Sequence, residues 1–385
     1  MEGNVEERII EREFGELALN MGPQHPATHG VFRLKLHLRG ETVLNVVPDI
    51  GYLHRGVEKL SETLDYDMLP PIYERDDYLC PTANSLAFVL AVEKLATVVV
   101  PRRASYLRVI TAELQRIASH LVAIGTFGLD LGGSMGGGTT LFLYCFRDRE
   151  KVLDLMESLT GTRFHTNMNQ IGGVRYDVYP DFAKEVMGLK QYLEKLVDDY
   201  RSMLETNPIF LERTRGIGIV TQELAKEVGA SGPVIRATGI PYDIRRNKPY
   251  SAYDEFEFNI PVGTMGDVFD RYLVRILEIS ESLSIVSQAL EGLPEGPINS
   301  RKPLKSALLL KPPKGAEAYA AVESPRGELG VFVVSDGTSK PYRLKLRSPS
   351  FSNLALISEI LPGNLVADAV AILGSLDPVF GDVDR

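Results

Sequence analysis

Three segments of this chain repeat their apolar residues at intervals of three and four, and that rhythm constrains the fold more than any other feature. The first runs Leu107, Ile110, Leu114, Ile117, Leu121 and Ile124. The second runs Phe182, Val186, Leu189, Leu193, Leu196, Tyr200 and Met203, and the third Phe269, Tyr272, Ile276, Ile279, Leu283, Val286 and Leu290. A period near ~3.6 residues gathers each set on one face. Each segment therefore reads as a long helix with one stripe to bury, and such helices pack as an antiparallel bundle. The stripes are core positions. A shorter helix is predicted from Asp148 to Leu159, with Gly161 as its left-handed cap.

On either side of the bundle the period changes to two. Glu16 to Leu19, Val31 to Leu38 and Val43 to Val47 read as strands, with Arg39-Gly40-Glu41 as a hairpin turn. Ala318 to Val322, Gly330 to Val334 and Arg343 to Arg347 form a second β element, separated by turns at Arg326-Gly327-Glu328 and Ser335-Asp336-Gly337. A Gly- and Pro-rich stretch from Asn207 to Gly266 carries short extended pieces such as Ile217 to Val220, and prolines 294, 297, 312 and 313 mark a linker. The fold class is α+β, a central long-helix bundle with a small N-terminal β domain and a C-terminal β element. The expected division is 1–60, a β-rich unit; 61–293, the helical core with an irregular insertion at 207–266; and 294–385, linker, β element and a C-terminal helix and tail returning to the site. The glycine run from Gly132 to Gly138 is no phosphate loop, because no Lys-Ser or Lys-Thr follows it.

Composition excludes several functions. A net charge of -9 and a pI near 5.4 argue against a nucleic-acid partner, which needs clustered Lys and Arg. Nothing approaches the ~18 uninterrupted apolar residues of a membrane span, and Met1 to Phe14 is too charged for a signal peptide. With only two cysteines, Cys80 and Cys145, the chain has neither a disulfide framework nor a self-contained four-thiolate iron–sulfur site. A reducing compartment fits.

Two of the six histidines share Met21-Gly22-Pro23-Gln24-His25-Pro26-Ala27-Thr28-His29-Gly30. A four-residue spacing suits two metal ligands on a helix. Here Pro23 and Pro26 remove backbone donors and two glycines bracket the run, so the segment is a rigid loop that displays its rings from a turn. His25 reads as the residue that shapes the loop, and His29 as the one presented. His37 and His120 fall in strand and helix patterns and read as structural.

Further segments acquire meaning together. R-G-x-E at Arg55 to Glu58, R-x-x-x-x-C at Arg75 to Cys80 and D-P-x-x-x-D at Asp377 to Asp382 resemble the large subunit of nickel–iron hydrogenases, whose pattern is R-x-C-x-x-C and D-P-C-x-x-C. Three of the four thiolate positions hold Asp77, Val379 and Asp382 here, and only Cys80 remains. One thiolate cannot hold that metal pair. A hydrogenase-like body without its metal, preceded by G-P-Q-H-P-x-x-H-G, is similar to the 49-kilodalton subunit family of respiratory complex I, the proton-pumping NADH:quinone oxidoreductase. The likeness covers nearly the whole chain and includes Gly51 to Gly56, Arg116 to Leu121, Thr160 to His165, Gly172 to Val174, Arg326 to Gly330 and Gly381 to Arg385.

This resemblance implies a quinone as substrate, no cofactor or metal held by the chain, and activity only inside a complex. It implies a partner small iron–sulfur subunit carrying a four-iron four-sulfur cluster, a 30-kilodalton-type subunit and a membrane subunit with the quinone channel. The location implied is peripheral, on the cytoplasmic face of a bacterial cell membrane. By matching motif, His29 and Tyr78 would bind the quinone headgroup, with Asp130 behind His29. A phenol and an imidazolium are suitable donors to a quinone oxygen gaining negative charge. Arg75 and His165 would lie near the partner's cluster, and His54, Arg55 and Glu58 on a proton route. Asp49 stands where the family has His, and Gly133 to Thr139 replaces a shorter segment. A ferredoxin-driven photosynthetic relative, a working hydrogenase and a metal-free scaffold are the competing readings; NADH-binding neighbours, bound nickel and iron, and mutant turnover discriminate them.

Overall fold

A computed structural model describes residues 15–132, 138–301 and 309–385. The bundle helices are α1 (Pro81–Ala96), α2 (Arg102–Gly132), α3 (Gly138–Thr160), α4 (Phe182–Glu205) and α5 (Val268–Glu291). Helices α2 and α3 form the closest pair, α5 lies along α2, and α4 rests on both α3 and α5. All three predicted stripes point into one shared core. Helix α3 begins ten residues before the predicted Asp148. Its first turns place buried Leu141 and Cys145 beside exposed Leu143 and Tyr144, so apolar residues occupy both faces and no stripe is visible. The glycine run just before it falls mostly on 133–137, outside the described residues. Gly161, at φ +78, terminates α3 as predicted.

Helix α1 has no counterpart among the predicted elements. Nearly all of its residues are buried, so it shows no polar face from which a period could be read. It lies between α2 and an antiparallel sheet of β4 (Glu317–Ser324), β5 (Gly327–Ser335) and β6 (Pro341–Arg347), in the order β6-β5-β4. Val322, Leu329, Val331, Val333 and Leu344 of this sheet share a second core with Leu86, Val89 and Val92 of α1. Ser324 pairs directly with Gly327, so the β4–β5 turn is Pro325-Arg326, one residue earlier than predicted.

The N-terminal strands β1 (Glu16–Met21), β2 (Arg33–Arg39) and β3 (Thr42–Asp49) form a second antiparallel sheet in the order β1-β2-β3. Its inner residues Leu34, Leu36, Leu38, Val43 and Val46 join the main core. Within 207–266 the expected extended pieces give way to short helices at Pro208–Glu212, Gln222–Glu227, Pro233–Ala237 and Ile244–Asn247. Ile217 to Val220 forms no strand: the chain bends at Ile217 and Gly218, where Gly218 adopts φ +57, and Val220 N donates to Gly266 O at 2.9 Å. Two C-terminal helices, α6 (Val366–Leu376) and α7 (Phe380–Asp384), complete the fold.

A layer of buried charge ties the helices to the β4–β6 sheet. Glu278 of α5 accepts from Arg236 Nε at 2.8 Å and pairs with His120 Nε2 of α2 at 2.8 Å. Arg236 also reaches Glu323 of β4 at 2.7 Å, and Arg245 bridges Asp243 at 2.7 Å and Glu113 of α2 at 3.1 Å. Every charge in this layer has a partner of opposite sign, which is the condition under which burying such groups is tolerated.

Candidate functional site

The histidine loop is a single tight turn. Pro26 to Thr28 form a 3-10 turn, His25 Nδ1 accepts from Ala27 N at 3.2 Å, and Thr28 Oγ1 donates to His25 O at 2.8 Å. His25 thus shapes the loop. His29 closes the turn at φ +56, a left-handed conformation that directs its ring inward. The loop seats on α7: Phe32 stacks on Phe380 at 4.7 Å, and a Cβ on Gly30 would lie 2.8 Å from the Phe380 ring.

His29 Nε2 is hydrogen-bonded to Asp130 Oδ2 near the end of α2. The pair packs on Gly374 of α6, where a Cβ would stand 3.4 Å from both His29 Cε1 and Asp130 Oδ2. Burial disfavours the imidazolium, but the Asp130 hydrogen bond and charge, with Asp377 beyond, outweigh it and raise His29 above its usual 6.5. The Asp130 contact therefore favours the protonated imidazole more than water does.

Tyr78 occupies the loop entering α1. Asp77 Oδ1 accepts from Leu79 N at 3.0 Å and Cys80 N at 3.1 Å, and Pro81 opens the helix, so the loop is locked beneath the phenol. Tyr78 itself is 40% exposed. Burial and the neighbouring Asp77 charge push its hydroxyl up, keeping it a neutral donor.

Arg326, on the β4–β5 turn, is buried and reaches both the loop that carries Tyr78 and the end of α6. Its Nη1 donates to Asp77 Oδ2 at 3.0 Å and Ser119 Oγ at 2.6 Å, while Nε stands 3.4 Å from Asp377 Oδ2 at the end of α6. Asp77, Cys80, Val379 and Asp382 are all buried, and the electrostatics of Arg326 couple it to Asp77, Cys80 and Asp382 together. Asp77 is raised to about 6 by burial, and the Cys80 thiol to about 12 by the same cause. Among the described residues no group of three or more His, Cys, Asp or Glu is arranged to hold a metal ion.

The remaining candidates form a second corner. Exposed Arg75 donates to Pro71 O, and its charge, after burial, lowers the pKa of His165, which sits at φ +49 beside the Glu74 backbone. Glu74 beside them accepts from Asn167 N at 3.0 Å, and burial raises it to about 7. His54 Nδ1 bonds to Asp384 O at 2.7 Å, Arg55 pairs with Asp76, and Glu58 accepts from Lys345 Nζ at 2.9 Å and Leu346 N at 3.0 Å. His54 and Glu58 line an open cleft of ≈ 270 Å³ between α7 and β6. Asp49 is held by Arg33 Nε at 2.7 Å and by Lys35, on the strand rather than in the histidine loop. The sequence does not single out Arg326, Asp377 or Glu74. Each lies in a quoted motif or beside one, but a charged residue in a turn carries no sign of burial.

Among the described residues no helix is long and apolar enough to cross a membrane. The family described as respiratory-chain NADH dehydrogenase, 49 Kd subunit, matches residues 136–385. An NADH-quinone oxidoreductase subunit from Desulforamulus reducens is 48% identical over 369 residues, covering 96% of this chain and 98% of that one. The like-named subunit from Dehalococcoides mccartyi strain 195 is 49% identical over 95% of this chain and 98% of its own. An NADH-quinone oxidoreductase subunit from Koribacter versatilis is 47% identical over 96% of each. The molecule is thus of the class of respiratory-chain dehydrogenase subunits. Within that class, the chain belongs to the 49-kilodalton subunit family.

Proposed function

We propose that this chain is the quinone-site subunit of a proton-translocating NADH:quinone oxidoreductase, active only within its complex. What supports this reading is that a carboxylate-backed imidazole, His29, and a half-exposed phenol, Tyr78, both lie within the field of one buried carboxylate, Asp377, which pairs with Arg326. A quinone headgroup spanning them would receive a hydrogen bond at each carbonyl. Asp130 orients the imidazole and favours its protonated form, so that the proton is available as charge develops on the oxygen. Tyr78 donates without ionising.

A four-iron four-sulfur cluster on a small partner subunit would supply the electrons, and Arg75 and His165 would face it. His54 and Glu58, which open on the cleft beside α7, and Arg55, which pairs with Asp76, are the proposed proton route. The proposal includes a hydrogenase-like body in three units, 1–60, 61–293 and 294–385. It also includes a 30-kilodalton-type partner and a membrane quinone-channel partner, on the cytoplasmic face of the membrane.

The test is Tyr78→Phe and His29→Ala in the assembled complex. Each should cut quinone reductase turnover by about tenfold or more, the scale of a lost charge-assisted hydrogen bond or proton donor. Unchanged turnover in a fully assembled complex would leave only a scaffold role.

A further inference from the structure

We propose that Arg326 is the positioning residue that holds the two sides of this site in register, gripping Asp77, the residue before Tyr78, and Asp377, three residues beyond the Gly374 on which His29 and Asp130 pack. The inference rests on the quinone reading above and adds to it the group that sets the distance between its two donors.

The backbone around Arg326 is held from several sides. Arg326 N donates to Ser324 Oγ at 3.3 Å, and its carbonyl accepts from Asn353 Nδ2 at 2.9 Å. Gly232 and Gly327 give the turn room, since a Cβ on Gly232 would lie 2.4 Å from Arg326 O and one on Gly327 would lie 2.4 Å from Ser231 Oγ. Neither position tolerates a side chain without moving the turn. From this anchored base the side chain contacts three elements at once: Ser119 on α2, Asp77 before α1, and Asp377 after α6. A planar guanidinium can serve several carboxylates in fixed directions, which an ammonium cannot.

The surrounding charge is unbalanced without it. Asp76, Asp77, Asp377 and Asp382 converge from the α1 loop and the α6–α7 segment, all at least nine-tenths buried. The cations facing them are Arg326, Arg275 of α5 at 3.9 Å from Asp377, and Arg55 on Asp76, with Arg116 of α2 nearby at Cys80. A plain structural role would end at balancing these carboxylates. The geometry adds a second consequence, because the cation that holds Asp77 also stands against Asp377, a carboxylate whose charge acts on His29 alongside that of Asp130. Removing Arg326 takes away the tie between Asp77 of the Tyr78 loop and the rest of the site, and leaves Asp377 to act on His29 with Arg275 as its remaining ion-pair partner among the described residues.

Arg326→Lys, Arg326→Gln and the double variant Arg326→Gln with Asp77→Asn, each in the assembled complex, separate the two roles. The double variant removes one carboxylate with the cation and so restores the charge balance, which keeps the test open if Arg326→Gln alone does not assemble. We expect Arg326→Lys and the double variant to assemble, with the KM for a short-chain quinone raised about tenfold. In both glutamine-bearing variants the alkaline limb of the pH–rate profile should move upward, because His29 holds its proton more tightly. Wild-type KM and an unmoved profile in an assembled double variant overturn the proposal, since balance alone would then account for Arg326. His29→Ala and Tyr78→Phe run in parallel: if they too leave turnover unchanged, the quinone reading itself fails.

Discussion

Replacing Glu74 with Gln should remove one separable share of the pH dependence of this fold. Glu74 is fully buried and lacks an ion-pair partner among the described residues; Ser85 Oγ donates to it at 3.3 Å and Asn167 N at 3.0 Å. Burial is the main reason its carboxyl rises from 4.5 to about 7, with those two hydrogen bonds and Arg75 only partly opposing. At ~1.4 kcal/mol for each tenfold change in proton affinity, this corresponds to roughly 3 kcal/mol of resistance to ionisation. An unfolded chain releases this proton near 4.5, whereas the folded chain keeps it to about 7, so the folded state binds more protons between those values. The contribution is therefore complete below the unfolded value and is lost as pH rises through the folded one. Glutamine cannot ionise and carries no such term. Urea unfolding of both proteins, followed by circular dichroism across this window, should show Glu74→Gln gaining roughly 3 kcal/mol relative to wild type toward alkaline pH. Asp76 and Asp77, raised to about 8 and about 6, titrate in both proteins and cancel in the difference. A stability difference that stays flat within about 1 kcal/mol would refute the reasoning.

Two further outcomes follow from the packing. Glu278→Gln removes the negative charge shared by Arg236 and His120 and turns one of its two acceptor oxygens into an NH2 donor, and should lower stability by about 3–5 kcal/mol in the same urea assay. A loss under ~1 kcal/mol would mean that Glu323 and Asp243 suffice for Arg236. Gly173→Ala brings a Cβ to 2.1 Å from Ile298 O at a residue with φ +155, so the short 169–174 hairpin has to leave the 297–299 segment. A thermal-melt shift equivalent to about 2–4 kcal/mol is expected, and an unchanged melting temperature would contradict the close approach.

Periodicity made the three long helices and both sheets legible, because each buries one face and exposes the other. It was blind to α1, buried on all sides, and to the first turns of α3, where Leu143 and Tyr144 are exposed beside buried Leu141. The 207–266 stretch failed differently. Its glycines and prolines signalled interruption, but the short helices between them are held by tertiary bonds such as Gly263 N to Arg236 O at 2.9 Å. At the site, the proline-bracketed loop and the motif at Arg75 to Cys80 drew attention to His29 and Tyr78. Asp130 came from the resemblance, and the fold pairs it with His29. Arg326 escaped notice because a Pro-Arg-Gly turn ordinarily faces water, and only the packing of Gly232 and Asn353 around it turns the side chain inward.

Asp384 accepts from the backbone amides of Gly51 at 2.8 Å and Leu53 at 2.7 Å, and a Cβ on Gly381 would lie 2.5 Å from Asp76 O. These contacts close loops of more than 300 residues, the costliest kind to form during folding. The Arg55 and Tyr78 loops therefore acquire their final setting only once the residues after Asp377 have left the ribosome and threaded back between them. Until then the helical bundle can be native in outline while the site remains unmade.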